Sequence, residues 1–239
     1  MLPHKLTLCL CLILFSSSSI FAQRKPPTGG RLAVVVDERL AALRATPQLT
    51  GRLVRRLSRG RLLAVRSIKT SADGISFFFV SVSSRTHGWI QREAVVSPSR
   101  AGDDQRLFTL IERSQGFDRI ARARIFLDHF PRSRLRPSVL SLFGDTAEQL
   151  AAKLSADAGR RLKEDRGDAP EFTYFLNYIG LDRYNRQGIT FVFDKTTKRF
   201  HYDGATWREL IRRYPRSPAA AEAKIKLDSL YSQLRRSLN

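Results

Sequence analysis

The spacing of apolar residues changes twice along this chain. Residues 6–15 form one apolar run behind a basic start at Lys5. Over 32–96 the apolar residues come instead in short blocks divided by turn signals. These are LAVVV, then GRLLAV after Ser58-Arg59-Gly60, ISFFFVSVS after Ala72-Asp73-Gly74, and lastly HGWIQREAVV. Blocks of β-branched and aromatic residues between Gly and Asp turns predict strands, and several in close succession predict a small β-barrel.

After the polar stretch 97–104 the period lengthens to that of helices. Leu107, Leu110 and Ile111 share one face of a first helix that ends near Gly116. A second, over 118–129, carries Ile120, Ala123 and Leu127, and Pro131 stops it because proline cannot extend the backbone ladder. Pro137 suits the first turn of a third, with Val139, Leu140, Phe143, Ala147, Leu150 and Leu154 along it. A polar break at 163–170 precedes an aromatic-rich helix over 171–184. The runs 189–193 and 199–202 then predict a hairpin inserted in the helical part, at about 188–203. Two further helices, over 205–213 and 218–238, close the chain.

Both helical stops carry an aromatic-Pro-Arg-Ser tetrapeptide, Phe130 to Ser133 and Tyr214 to Ser217. A shift of 84 residues superposes them and pairs Leu127 with Ile211, although Lys224 and Lys226 break the match at Leu140 and Leu142. This predicts a degenerate helix-turn-helix repeat, in which proline enforces the stop and serine caps the next helix.

The start of the chain reads as a secretory signal, over 1–22 with Ala22 before the cut, and its apolar run is too short to span a bilayer. Both cysteines, Cys9 and Cys11, fall inside that run, which argues against lipid attachment and leaves the mature chain without thiols. Disulfides, cysteine nucleophiles and thiolate metal sites are thereby excluded. The organisation expected is a signal at 1–22, a Pro/Gly linker at 23–31, the barrel at 32–97 and the helical domain at 104–239. The fold class is α+β.

Charge narrows the choice of partner. The chain has 42 Lys+Arg against 22 Asp+Glu, a net +20. Such a surface attracts polyanions, and outside the cytoplasm envelope polymers or an anionic membrane surface take precedence over nucleic acid. The same arginine richness also reads as charge spread for solubility. The sharpest basic run, at 52–61, places Arg56 and Arg59 on an exposed turn with Leu53, Val54 and Leu57 facing inward. It reads either as a solvated turn or as an anion-binding patch.

Catalytic constellations are missing from the pattern. His87, His129 and His201 lie far apart with no second ligand at helical spacing, so no metal is expected. There is no Gly-x-Ser-x-Gly elbow and no glycine-rich phosphate loop before a helix. Asp182, Asp194 and Asp203 are not read as a carboxylate cluster, because Asp194 and Asp203 sit at turns where Asp normally falls. No cofactor is called for, and a non-catalytic protein is expected. The dense aromatic group of the second part has two readings. Helix and hairpin pack on each other, or Tyr174, Tyr178, Tyr184 and Tyr202 form an aromatic surface flanked by Arg183, Arg186 and Arg208. The spacing of Phe175, Tyr178 and Ile179 favours the first.

Two resemblances add to this reading. Residues 33–96, with Ala42-Leu43-Arg44, Pro47, the Gly60 turn, Asp73-Gly74, Phe79 to Val82 and Gly88-Trp89-Ile90, resemble the bacterial SH3-like (SH3b) family. The chain departs from it over 41–46, where the family carries Asn and Gly. Such domains often bind peptidoglycan or another envelope component, and some mediate protein contacts. Arg44 and Trp89 from the resemblance, Arg56 and Arg59 from the basic run, and His87 are the ligand-binding candidates. The segment LIRRYPRSPAAAEAKIKLDSL looks like the tetratricopeptide-like repeats of exported envelope proteins, and FLDHFPRSRLRPSVLSLFGDTAEQL resembles them more loosely. That likeness implies a protein-interaction scaffold. Together they imply an exported envelope protein that binds peptidoglycan or a protein partner. The alternative is a non-specific binder of anionic polymer or membrane.

Overall fold

The computed structural model describes residues 29–164 and 180–236. The signal segment, most of the linker, and residues 171–179 of the helix expected over 171–184, with Tyr174 and Tyr178, lie outside the described residues. The chain is mixed α+β. Seven strands, β1 (Arg31–Val35), β2 (Ala42–Arg44), β3 (Leu53–Arg56), β4 (Leu62–Thr70), β5 (Ser76–Ser81), β6 (His87–Gln91) and β7 (Val95–Val96), form one antiparallel sheet. Its order is β3-β2-β6-β5-β4-β1-β7, so β3 and β7 are edges and the sheet does not close on itself. The four strand blocks visible in the sequence appear in place. The strands β2 and β3 were not visible, being three and four residues long with no alternation of their own.

The sheet curls around a core built from Ala33, Val35, Leu43, Leu57, Leu63, Val65, Val80 and Ile90. Strand alternation sends the intervening residues Val34 and Val36, with Val96, to the other side, where they join the core of the helices. The sheet and the helices therefore share β1 as a wall. Arg122, buried on the second helix, ties the two together. Its Nε donates to the Val36 carbonyl (3.2 Å) and its guanidinium to Ser114 Oγ (2.5 Å), with Asp37 at 3.9 Å.

The helices are α1 (Asp103–Glu112), α2 (Gly116–His129), α3 (Arg136–Glu164), α4 (Leu181–Asn185), α5 (Ala205–Arg213) and α6 (Pro218–Arg236). The hairpin β8 (Phe191–Asp194) and β9 (Arg199–Tyr202) lies between α4 and α5 and packs on α3. Phe200 N–H donates to Ser155 Oγ (2.7 Å), and Tyr202 N–H donates to the Glu148 carboxylate (2.7 Å).

The two helical stops are built alike, bond for bond. Phe130 N–H donates to Phe126 O and Tyr214 N–H to Leu210 O, each at 2.9 Å. Ser133 and Ser217 N–H then return to the carbonyls of Phe130 and Tyr214, and Arg136 and Ala220 N–H to those of the two serines. Ser217 Oγ also accepts from Ala220 N–H (3.2 Å), which makes it the cap of α6. Ser133 departs from this pattern. Its hydroxyl accepts from Leu135 N–H (3.2 Å) and donates to Asp104 of α1 (2.7 Å).

Candidate functional site

Residues directly opposite on neighbouring antiparallel strands share one face of the sheet. On the face opposite Leu43 and Ile90, the register lines up Leu53, Arg44, Trp89, Phe79 and Ser67 across five successive strands. Leu53 is exposed, and Arg44, Trp89 and Phe79 are half-buried. The Phe79 ring packs against Trp89 at 5.2 Å between centroids and against His87 at 5.8 Å. Arg44, His87 and Trp89 thus come together, joined by Phe79 and Leu53.

Local chemistry explains the arrangement. A Cβ on Gly88 would stand 2.7 Å from the Arg44 carbonyl and 3.0 Å from Leu43 Cγ, so β2 and β6 approach this closely only across a glycine. That places Trp89 opposite Arg44. The Arg44 guanidinium donates to the Gly51 carbonyl (2.8 Å) and so pins the 45–52 loop beside it. This is the only hydrogen bond of its side chain among the described residues, and the rest of its N–H fork makes none there.

The charge of the sheet segment as a whole is one-sided. Residues 29–97 hold twelve Lys+Arg and four Asp+Glu. Two of those acids are turned to the helical side. Asp37 binds Arg39 (2.7 Å), whose hydrogen bond holds its carboxyl below the usual carboxylate range, and Glu38 accepts from the Arg59 backbone (2.8 Å).

Arg56 borders this face at the sheet edge, whereas Arg59 separates from it. Arg56 lies on β3 opposite Ala42, exposed at the sheet edge and not on a turn. Leu53 and Val54 do not face inward as expected. They are 45% and 41% exposed, because β3 is an edge strand with a register slip between its ends, while Leu57 is buried as expected. Arg59 does occupy the turn, but its guanidinium pairs with Asp118 of α2 (2.8 Å) and faces the helices.

Tyr184 and Tyr202 do not contribute to an aromatic surface. They are 1% and 0% exposed. Tyr184 meets Phe117 and Phe191 edge-on, with Arg183 stacked 4.7 Å above its ring. The Tyr202 hydroxyl accepts from Thr206 N–H (2.7 Å), and burial pushes its pKa up to about 12. Helix and hairpin pack on one another here, which removes both rings from solvent. Asp194 and Asp203 hold turns, accepting from Thr196 N–H (2.9 Å) and Ala205 N–H (3.0 Å).

Phe79 and Leu53 were missed by sequence reasoning. Phe79 sits in a run of three phenylalanines whose alternation does not say which face is solvated, and only the pairing with Trp89 decides it. Leu53 had the appearance of a core residue. Among the described residues, no group of three or more His, Cys, Asp or Glu is placed to hold a metal ion.

No family model matches this chain. Comparisons with curated proteins and with solved structures give no significant match.

Proposed function

We propose that this is an exported, non-catalytic binding protein of the cell envelope, in which an SH3-like sheet module holds a peptidoglycan or protein partner and the helices serve as scaffold. The row Leu53–Arg44–Trp89–Phe79 carries the reading. It combines apolar and aromatic surface with a guanidinium that has no carboxylate partner among the described residues, on a face that the described helices leave open. Aromatic rings with an adjacent cation suit sugar rings and peptide carboxylates. The signal-like start, the missing thiols of the mature chain and the resemblance of 33–96 to SH3b domains support the same assignment. SH3-like closure is not needed for this use, because the face works as an open platform.

A sedimentation assay with purified peptidoglycan tests it. The protein is spun with sacculi at low and at physiological salt, beside an Arg44→Ala/Trp89→Ala variant. Pelleting of the wild type at both salts and its loss in the folded variant are expected. No pelleting by either protein removes the glycan reading. Arg55 and Arg56, exposed and without an ion pair among the described residues, favour a second reading, non-specific attraction to anionic polymer or membrane. Binding that collapses with salt and ignores the double substitution supports that one.

A further inference from the structure

The two edges of the sheet are finished differently. At β7 the outward carbonyls are occupied, since Arg106 of α1 donates to Glu93 O (3.0 Å) and to Val95 O, and Val95 and Val96 are buried. At β3 none of the described residues covers the strand, and all four of its residues are exposed. Leu57 N–H donates inward to Ala41 O (2.9 Å). By the alternation of an antiparallel ladder, the N–H and C=O of the preceding Arg56 therefore turn away from β2, toward solvent. A row of unpaired peptide groups of this kind is a template for another extended chain.

The side chains say which chain fits. Leu53 and Val54 offer apolar surface, and Arg52, Arg55 and Arg56 surround them, exposed and without an ion pair among the described residues. A second copy of the protein would set these arginines against one another, and like charges directly opposite destabilise a pair of strands. An acidic segment meets no such penalty. The slip at Val54, which has no partner on β2, keeps the docked ladder short. We infer that the β3 edge docks an extended polypeptide segment of alternating acidic and apolar residues, paired through the outward backbone of Arg56 and held by Arg52, Arg55 and Arg56. Leu53 and Arg56 border the Arg44–Trp89 face, but the backbone pairing at β3 needs neither Arg44 nor Trp89.

The test uses the full-length protein and a fluorescein-labelled hexapeptide of alternating glutamate and valine. Fluorescence anisotropy measures affinity, and amide hydrogen exchange follows Arg56. Three comparisons are made: the same peptide N-methylated at its central residues, a lysine–valine peptide, and an Arg56→Pro variant. Proline at 56 removes the outward N–H while sparing the ladder to β2. The expected result is saturable binding of the glutamate peptide and slowed exchange at Arg56, with affinity at least about tenfold weaker in each comparison.

Equal binding of the two glutamate peptides overturns the proposal, because charge attraction without strand pairing then suffices. Concentration-dependent self-association that Arg56→Pro abolishes also overturns it, by making a second copy the occupant. Absence of binding overturns it outright. The N-methylated peptide decides the matter on unmodified protein, so a misfolded variant leaves the test intact. The Arg44→Ala/Trp89→Ala variant retains the β3 edge, so failure of this proposal is distinct from failure of the proposed function.

Discussion

Gly144 of α3 and Trp207 of α5 leave no room between them. A Cβ at position 144 would overlap the indole nitrogen and stand 2.7 Å from Cδ1 of a side chain that is itself only 3% exposed. Trp207 is held from its other side by Tyr202, edge-on at 5.6 Å. A glycine inside a helix costs about 1 kcal/mol relative to alanine, whereas overfilling a packed core costs about 1–3 kcal/mol. The second effect wins because the added methyl would strike the indole ring itself, which packs edge-on against Tyr202. Gly144→Ala is expected to lower the midpoint of chemical denaturation, and adding Trp207→Phe to recover part of the loss. A more stable single variant contradicts the packing account.

Arg59 and Arg56 are three residues apart but belong to different parts of the molecule. Arg59 bridges to Asp118 of α2, with its side chain 14% exposed, and its buried Nε has no hydrogen-bond partner among the described residues. Arg59→Ala is expected to cost about 1 kcal/mol of stability by releasing that bridge. Sedimentation with peptidoglycan should be unchanged, because the Arg44–Trp89 face is untouched. Loss of sedimentation by a folded Arg59→Ala protein would return Arg59 to the binding site.

Stability should fall on mild acidification, and His129 is the reason. Burial holds this imidazole below its ordinary value of 6.5, and the nearby Asp128 opposes the shift only in part. The unfolded chain therefore takes up the proton at a higher pH than the folded one. The contribution of His129 is complete above pH 6.5 and is lost as pH falls from there through its depressed folded value. Urea midpoints measured at about pH 7 and about pH 5 should differ in the wild type and draw together in His129→Gln. An unchanged slope in that variant would assign the effect elsewhere.

The two helical stops share a backbone pattern but not a load. Ser217 caps its helix and returns its hydroxyl proton to Tyr214 O (2.8 Å), so Ser217→Ala should cost about 1 kcal/mol. Ser133 binds the Asp104 carboxylate as well as Leu135 N–H, and hydrogen bonds to charged groups are worth about 1.5–3 kcal/mol. Ser133→Ala is expected to be the more damaging, and denaturation of the two variants side by side checks the order. Equal losses would mean that the bond to α1 contributes nothing.

The helical half was legible because its signals are local. Pro131 and Pro215 stop helices where they stand, and the apolar stripes of α2 and α3 fall where their period puts them. The sheet was legible only where a strand is itself apolar. Strand β3 buries nothing, so its sequence reads as a charged turn, and the inward placement of Leu53 and Val54 follows from that misreading. The outer face could not be read at all as a unit. Leu53, Arg44, Trp89 and Phe79 come from four strands scattered along the chain, and strand register alone makes them neighbours. The burial of Tyr202 depends likewise on where the hairpin docks against α3, which no local pattern encodes.

Strand β1 is a single wall between two interiors, with Ala33 and Val35 turned to one and Val34 and Val36 to the other. Neither side can melt without exposing valines that the other side keeps dry. The sheet and the helices should therefore unfold as one cooperative unit, in a single calorimetric transition, even though they carry separate cores. A fragment that ends at the polar stretch after Val96 would leave Val34, Val36 and Val96 facing water, and would be prone to aggregate.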